Sequence, residues 1–170
     1  MNKLTWESFT KRIHIHATTE KLYWCWATSE GLTSWFLKDA VFLRDNKPIN
    51  KSDFIKPNDS YFWYWHNWDG KEEGKIIETN GKDFIKFLFA GSCEVTINLE
   101  QKKEAILLSL TQSKIPQDEK SKLEIFYGCS NGWTFWLANL KAYLEHGILL
   151  NETGIDLKPF GLAGYEFVNM

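Results

Sequence analysis

The sequence has few cysteines, no long apolar run and no excess of charge of one sign. Its three cysteines are an odd number without a Cys-x-x-Cys pair, a pattern typical of reduced thiols in a cytoplasmic protein. We expect neither a signal peptide nor a membrane span, because no window approaches roughly eighteen consecutive apolar residues. The net charge of −2 and the scattered basic residues make nucleic acid and anionic membrane poor partners.

The sequence also lacks the motifs of common catalytic and metal sites. It has no Gly-x-Ser-x-Gly elbow and no glycine-rich phosphate loop. The acidic pairs Glu72–Glu73 and Asp118–Glu119 belong to a predicted turn and a predicted helix start. His14 and His16 share one face of a predicted strand, but Zn²⁺ needs three or four ligands and no further ligand supports them. We therefore expect no catalytic residue, no metal and no cofactor, and we predict that the protein is not an enzyme.

Aromatic residues, in contrast, are abundant. They make up 16% of the chain and include nine tryptophans, more than the core of a domain of this size normally uses. The predicted strand Tyr61–Trp68 is aromatic on both faces. One interpretation is that one face completes the core while a loop or the tail covers the other. The alternative is that one face lines a ligand cavity and the other forms a dimer or partner surface.

The order of predicted elements begins with a strand that runs from Phe9 to about Ala17. Two short helices follow, the first capped by Thr18 or Thr19 and the second over Glu30–Phe36. A meander of about five antiparallel strands then extends from Tyr61 to Thr111, with one apolar and one polar face. Its hairpin signals are Asp-Gly at residues 69–70 and Asn-Gly at residues 80–81, which favour tight turns.

A strong helix follows the meander and ends at Gly147. Apolar residues recur there at steps of three and four, so they line one stripe of the helix. We expect a kink or break near Gly128 and Gly132, and a left-handed glycine at the helix end. Residues 151–170 are too apolar for a free end and are predicted to pack on a single domain formed by residues 1–150.

The order of strand, two short helices, meander and long helix is the helix-grip arrangement, an α+β fold. Three segments resemble the START-like (SRPBCC) superfamily, specifically the family of heat-shock-protein-90 ATPase activator homologues. They are Ile13–Trp24, Glu30–Phe36, and Gly132–Trp133 with the following Leu137–Lys141. The resemblance implies a curved antiparallel sheet around the long helix, with a deep and mostly apolar cavity between them.

Family positions and inward faces together predict the residues that line this cavity. They are Trp35, Phe36, Trp63, Trp65, Phe87, Trp133 and Leu137. The favoured hypothesis is a non-enzymatic cytoplasmic binding protein for a small hydrophobic molecule. One alternative is a protein-interaction module, co-chaperone-like or stress-responsive, that binds a chaperone or a second copy of itself. The other is a cyclase-like enzyme of the same superfamily.

Overall fold

The computed structural model describes residues 4–170. Its strands form one antiparallel sheet of eight strands in the order β1-β8-β7-β6-β5-β4-β2-β3. Strands β4 to β8 follow one another along the chain and across the sheet, which confirms the predicted meander. The strands are β1 (Phe9–Ile15), β2 (Asp39–Arg44), β3 (Lys47–Pro48), β4 (Ser60–Tyr64), β5 (Lys71–Thr79), β6 (Phe84–Phe89), β7 (Cys93–Lys102) and β8 (Ala105–Ser113).

The alternation along the strands decides which face of the sheet is buried. Six aliphatic residues of β7 and β8 are buried, namely Val95, Ile97, Leu99, Ile106, Leu108 and Leu110. The residues between them point to the other side, and Asn98 and Glu100 there are exposed. The inner face of the sheet therefore supplies half of the core, as the period-two pattern predicted.

Two short helices, α1 (Thr19–Ala27) and α2 (Ser29–Trp35), follow β1. The hydroxyl of Thr18 accepts a hydrogen bond from Lys21 N at 3.1 Å and caps α1. The hydroxyl of Thr28 accepts a hydrogen bond from Gly31 N at 2.9 Å and caps α2. Since Thr28 also terminates α1, the two helices meet with almost no loop between them.

The aromatic strand is shorter than predicted. Strand β4 ends at Tyr64, which pairs with Lys71 of β5, so residues 65–70 form a loop and the predicted tight Asp-Gly turn is wrong. Asn67, at the centre of the loop, is buried and donates a hydrogen bond from Nδ2 to the carbonyl of Ile155 at 2.9 Å. The loop leaves the sheet because its polar groups bond to the C-terminal tail.

The Asn-Gly turn lies where predicted but is also wider than a two-residue turn. Thr79 pairs with Ile85, and Gly81 adopts a left-handed conformation with φ of 74°. The side chain of Asn80 closes this loop, because its Oδ1 accepts the backbone N–H groups of the residues two, three and four positions later. A side chain, rather than a backbone turn of two residues, thus organises the connection.

The long C-terminal helix is continuous from Glu119 to His146, with three parts. A short α3 (Glu119–Ser121) leads into a π-helical segment (Lys122–Tyr127) and then into α4 (Gly128–His146). The expected break at Gly128 and Gly132 is therefore replaced by the π-helical segment before them. Gly147 ends the helix in the predicted left-handed conformation, with φ of 66°.

The chain after Gly147 folds back along the body. Leu157 and Ala163 are buried, and Leu157 N donates a hydrogen bond to the carbonyl of Asn67 at 2.9 Å. The buried Asn139 of α4 bonds to both α2 and the tail. Its Nδ2 donates a hydrogen bond to the carbonyl of Trp35, and its Oδ1 accepts one from Leu150 N. A last short helix, α5 (Ala163–Glu166), lies against the long helix. No helix among residues 4–170 is long and apolar enough to span a membrane.

Candidate functional site

An open groove of about 840 Å³ lies beside the first half of α4. The helix and the π-helical segment form one wall, the 65–70 loop and the ends of β5 and β6 form another, and the tail forms the third. Its residues are mostly aromatic or small. They are Trp65, Trp68, Glu72, Phe89, Ala90, Glu124, Tyr127, Gly128, Cys129, Asn131, Gly132, Trp133, Thr134, Phe135, Trp136, Ala138, Gly164, Tyr165, Phe167, Val168 and Met170.

Two of the seven predicted cavity residues, Trp65 and Trp133, line this groove. The other five are buried in the core on the inner side of the groove wall: Trp35, Phe36, Trp63, Phe87 and Leu137. Trp136 connects the two sets, because its ring centroid lies 4.0 Å from Phe36, 5.8 Å from Trp63 and 4.8 Å from Trp133. The predicted residues are thus neighbours in space, but most of them support the groove rather than line it.

Sequence reasoning missed several lining residues. Trp136 follows Trp133 by one helical step on the stripe that the sequence already showed, so the same periodicity could have identified it. Trp68 was assigned to a strand face, whereas it lies in the loop after β4. The tail residues Tyr165 and Phe167 carry no local signal for a groove, because only the fold brings the tail to the helix.

The helical wall of the groove is held in place by a buried hydrogen bond. The indole Nε1–H of Trp133 donates to Oε1 of Gln112 on β8 at 2.8 Å, and both residues are buried. The ring of Phe89, on β6, packs on Trp133 with centroids 4.8 Å apart. Because the sheet fixes Trp133 through both contacts, this wall is formed before any ligand binds.

Glu72 places a carboxylate on the inner face of the sheet. It lies directly opposite the buried Trp63 in the antiparallel pairing and therefore shares its face. Its Oε1 accepts a hydrogen bond from Ala90 N at 2.7 Å. Burial raises the pKa of Glu72 above its ordinary value, an effect that the hydrogen bond from Ala90 partly offsets. Half-buried and without a basic partner among residues 4–170, Glu72 is the most unusual ionisable group in the groove.

Two other ionisable side chains of the groove, Glu124 and Cys129, have more ordinary surroundings. Glu124 is exposed, with one oxygen 3.8 Å from the ammonium of Lys120. Burial raises the pKa of the Cys129 thiol to about 12, so the thiol is neutral at physiological pH. Among the described residues that line the groove there is no Lys, Arg or His. The charge in the groove is therefore negative.

The described residues offer no metal centre. Across residues 4–170, no group of three or more His, Cys, Asp or Glu side chains could hold an ion. His14 and His16 are exposed on and just after β1. The ring Nδ1 of His16 lies 3.0 Å from the carbonyl oxygen of Glu104.

Solved structures with the same fold come from several bacteria. A Staphylococcus saprophyticus protein is 18% identical, with a TM-score of 0.66 over 84% of this chain and 94% of its own. The Aha1 dimer from Colwellia psychrerythraea is 20% identical, with a TM-score of 0.64 over 82% and 97%. A Mesorhizobium loti protein is 15% identical, with a TM-score of 0.65 over 84% and 99%. At these identities the comparison establishes the fold alone, the helix-grip arrangement.

The sequence itself identifies the family. None of the curated proteins matches it. The model of the Activator of Hsp90 ATPase homolog 1-like proteins, however, matches residues 16–145, a range that extends from the end of β1 almost to the end of α4. The chain therefore belongs to the family of Activator of Hsp90 ATPase homolog 1-like proteins.

Proposed function

We propose that the protein is a non-enzymatic, cytoplasmic binding protein that holds a small hydrophobic molecule in the groove beside α4. The observation that carries this proposal is the groove itself. Its volume of about 840 Å³ falls within the roughly 300–1,000 Å³ of small-molecule sites. Its lining is rich in aromatic residues, and rigid aromatic side chains bind apolar ligands with little loss of conformational freedom.

The rigidity of the groove supports a binding role. Trp136 is buried between the core and the groove, and Trp133 is fixed by Gln112. The opposite wall is less firmly held, because Tyr165 and Phe167 of the tail are exposed to 39% and 40%. A ligand would therefore meet a preformed wall on the helix side and a wall on the tail side that can adjust to its shape.

The polar groups of the groove favour binding over catalysis. A general acid or base exchanges a proton with the substrate, and a second polar side chain commonly orients it. Among the described residues, Glu72 has one hydrogen-bond partner, the backbone N–H of Ala90. Cys129 is a neutral thiol rather than a nucleophilic thiolate. A cyclase-like enzyme would need a second polar group beside Glu72.

The free thiols support the proposed location of the protein in a reducing compartment. Cys25 and Cys93 are buried free thiols, and Cys129 is a half-buried free thiol. Burial raises the pKa of Cys25 to about 12, so this thiol behaves as a small apolar core residue. A protein without disulfides among its cysteines suits the cytoplasm.

A second candidate function is a protein-interaction module, favoured by exposed apolar side chains around the groove. The π-helical segment and the tail present Leu123, Tyr127, Phe160, Leu162, Phe167 and Val168, each exposed by 40% or more. Such a surface suits a second copy of the chain or a chaperone. The Colwellia psychrerythraea relative of the same fold is a dimer, and the family name refers to activation of a chaperone ATPase.

Native mass spectrometry of the purified protein, followed by denaturation and analysis of any released molecule, tests the first proposal directly. A titration with the neutral fluorescent probe N-phenyl-1-naphthylamine complements it. We expect saturable binding of one probe per chain. Gly132→Phe should abolish this binding, because Gly132 lines the groove and a Cβ there meets no atom within 4 Å.

The matched control is Gly161→Phe. A Cβ at Gly161 also meets no atom within 4 Å, and the residue does not line the groove, so this variant should bind the probe like the wild type. Absence of both a released molecule and probe binding would contradict the proposal. Equal probe binding by the two variants would show that the probe binds outside the groove. Sedimentation of the same samples tests the second candidate, which predicts a dimer or a larger assembly.

A further inference from the structure

The chemistry of the groove narrows the class of ligand beyond "small and hydrophobic". Glu72 is an ionisable side chain on the otherwise apolar inner face of β4 and β5, opposite Trp63. One of its oxygens bonds to Ala90 N. The other accepts no hydrogen bond and no ion pair from the part of the chain that the structure describes, residues 4–170. Glu72 therefore lines the groove with one carboxylate oxygen that has no partner among the described residues.

A structural role accounts for only one of the two carboxylate oxygens of Glu72. The hydrogen bond from Ala90 N supports the turn between β6 and β7, where Ala90 has a positive φ of 51°. A glutamine could accept that bond equally well, without the penalty of burying a charge. The charge itself is thus unnecessary for the turn, and burial opposes it, as the raised pKa of Glu72 shows.

The aromatic walls favour the same kind of ligand group as the carboxylate does. Trp65 and Trp68 stand on one side of the groove, and Trp133 and Trp136 stand on the helix side. The faces of aromatic rings carry partial negative charge, so they attract cations and repel anions. The described lining contains no basic side chain, which leaves a cationic ligand group without a competitor for Glu72.

We propose that the groove selects molecules that carry an ammonium group on an apolar body, with the ammonium beside Glu72 and the apolar body against the tryptophans. This inference rests on the groove being the binding site proposed above. The ammonium would donate hydrogen bonds to the free oxygen of Glu72 and replace the water lost on entry. The exposed Glu124 would add a weaker attraction at the rim.

Calorimetric titration with three probes of one skeleton tests this proposal. The probes are 2-naphthylmethylammonium, 2-naphthalenemethanol and 2-naphthoate, which share the naphthyl ring and carry a cationic, a neutral and an anionic group. We expect the ammonium to bind the wild type about tenfold more tightly than the alcohol, and the carboxylate to bind least. Glu72→Gln, which retains the bond to Ala90, should remove most of the preference for the ammonium over the alcohol.

Glu73→Gln is the matched control. Glu73 is adjacent in sequence, points to the opposite face of the sheet and pairs with Lys71 at 2.9 Å, so its loss should leave the preference intact. Equal binding of the ammonium and the alcohol by the wild type would overturn the ligand class but not the groove. An undiminished preference in Glu72→Gln would overturn the role of Glu72. Failure of all three probes to bind would overturn both the proposed function and this inference.

Discussion

The close contact between α1 and α2 leads us to predict that Gly31→Ala strongly destabilises the fold. An added Cβ at Gly31 would lie 2.0 Å from the carbonyl oxygen of Trp24 and 2.8 Å from Cα of Cys25. Both are backbone atoms, so no side chain can rotate to make room. The helices would have to separate by at least about 1.4 Å to bring the 2.0 Å approach to an ordinary contact of 3.4 Å. Trp26 and Trp35, which pack between the helices and the core, would move with them.

The expected magnitude follows from two contributions. Overpacking in a dense region destabilises by roughly 1–3 kcal/mol, and the backbone clash places Gly31→Ala at the upper end. The new Cβ would also lie 2.8 Å from Oγ1 of Thr28, whose hydroxyl caps α2, and loss of such a cap contributes about 1 kcal/mol. We therefore expect a loss of about 3 kcal/mol or more in the free energy of unfolding, a fall in melting temperature of roughly 6–12 °C.

Urea unfolding followed by circular dichroism measures this loss, with Gly132→Ala as the control. Gly132 lies within α4, where an added Cβ meets no atom within 4 Å. Alanine there should stabilise by about 0.5–1 kcal/mol, because it restricts the unfolded chain and favours the helix. The two identical substitutions thus have opposite expected signs. A Gly31→Ala midpoint within experimental error of the wild type would refute the close contact of α1 with α2.

Three further predictions test other parts of the fold by the same unfolding measurement. Gly74→Ala would place a Cβ 2.6 Å from the carbonyl oxygen of Leu88 on the neighbouring strand, so we expect a loss of about 2–3 kcal/mol; a neutral result would contradict the register of β5 and β6. Trp133→Phe removes the indole N–H and leaves Oε1 of Gln112 buried without its donor, at a cost of about 1–3 kcal/mol, and Trp133→Phe combined with Gln112→Leu should recover part of the loss. Glu145 has a lowered pKa, first because it accepts the backbone N–H that follows β1 and second because of an adjacent lysine; its stabilisation is complete above the unfolded pKa of about 4.3 and disappears as the pH falls through the lower folded pKa. Glu145→Gln should therefore flatten the dependence of stability on pH below about pH 5, and an unchanged acid profile would contradict this assignment.

Most of the fold could be predicted because its signals are local. Alternation identified the strands of the meander, the hydroxyl of Thr18 lies at the start of α1, and Gly147 ends α4 in the left-handed conformation. The errors arose where distant contacts override local pattern. Aromatic alternation continues past Tyr64, yet the chain leaves the sheet because Asn67 bonds to the tail. The π-helical segment Lys122–Tyr127 likewise has no signature that periodicity could show.

The groove was harder to predict than the fold. A residue that faces inward from a helix or strand is apolar whether it packs in the core or lines an opening, so pattern alone cannot separate Trp63, which is buried in the core, from Trp65, which lines the groove. The tail adds a second difficulty. Its composition indicated that it packs on the body, but only the fold shows that Tyr165 and Phe167 form a wall of the groove.

Three residues interrupt the apolar inner face of the sheet, and a comparison of them separates a packing role from a binding role. Gly74 makes room for the ring of Tyr61, whose hydroxyl donates to the carbonyl of Leu88 at 2.5 Å. Packing therefore explains Gly74. Gln112 accepts the indole N–H of Trp133 at Oε1, while its buried Nε2 has no hydrogen-bond partner among the described residues; Gln112 lies in the core and does not line the groove. Glu72 differs from both, because it is ionisable, lines the groove and has one oxygen that bonds to no described residue. Where local chemistry opposes burial and the fold supplies no compensating partner, the partner is expected from outside; at Glu72 that reasoning points to a cation.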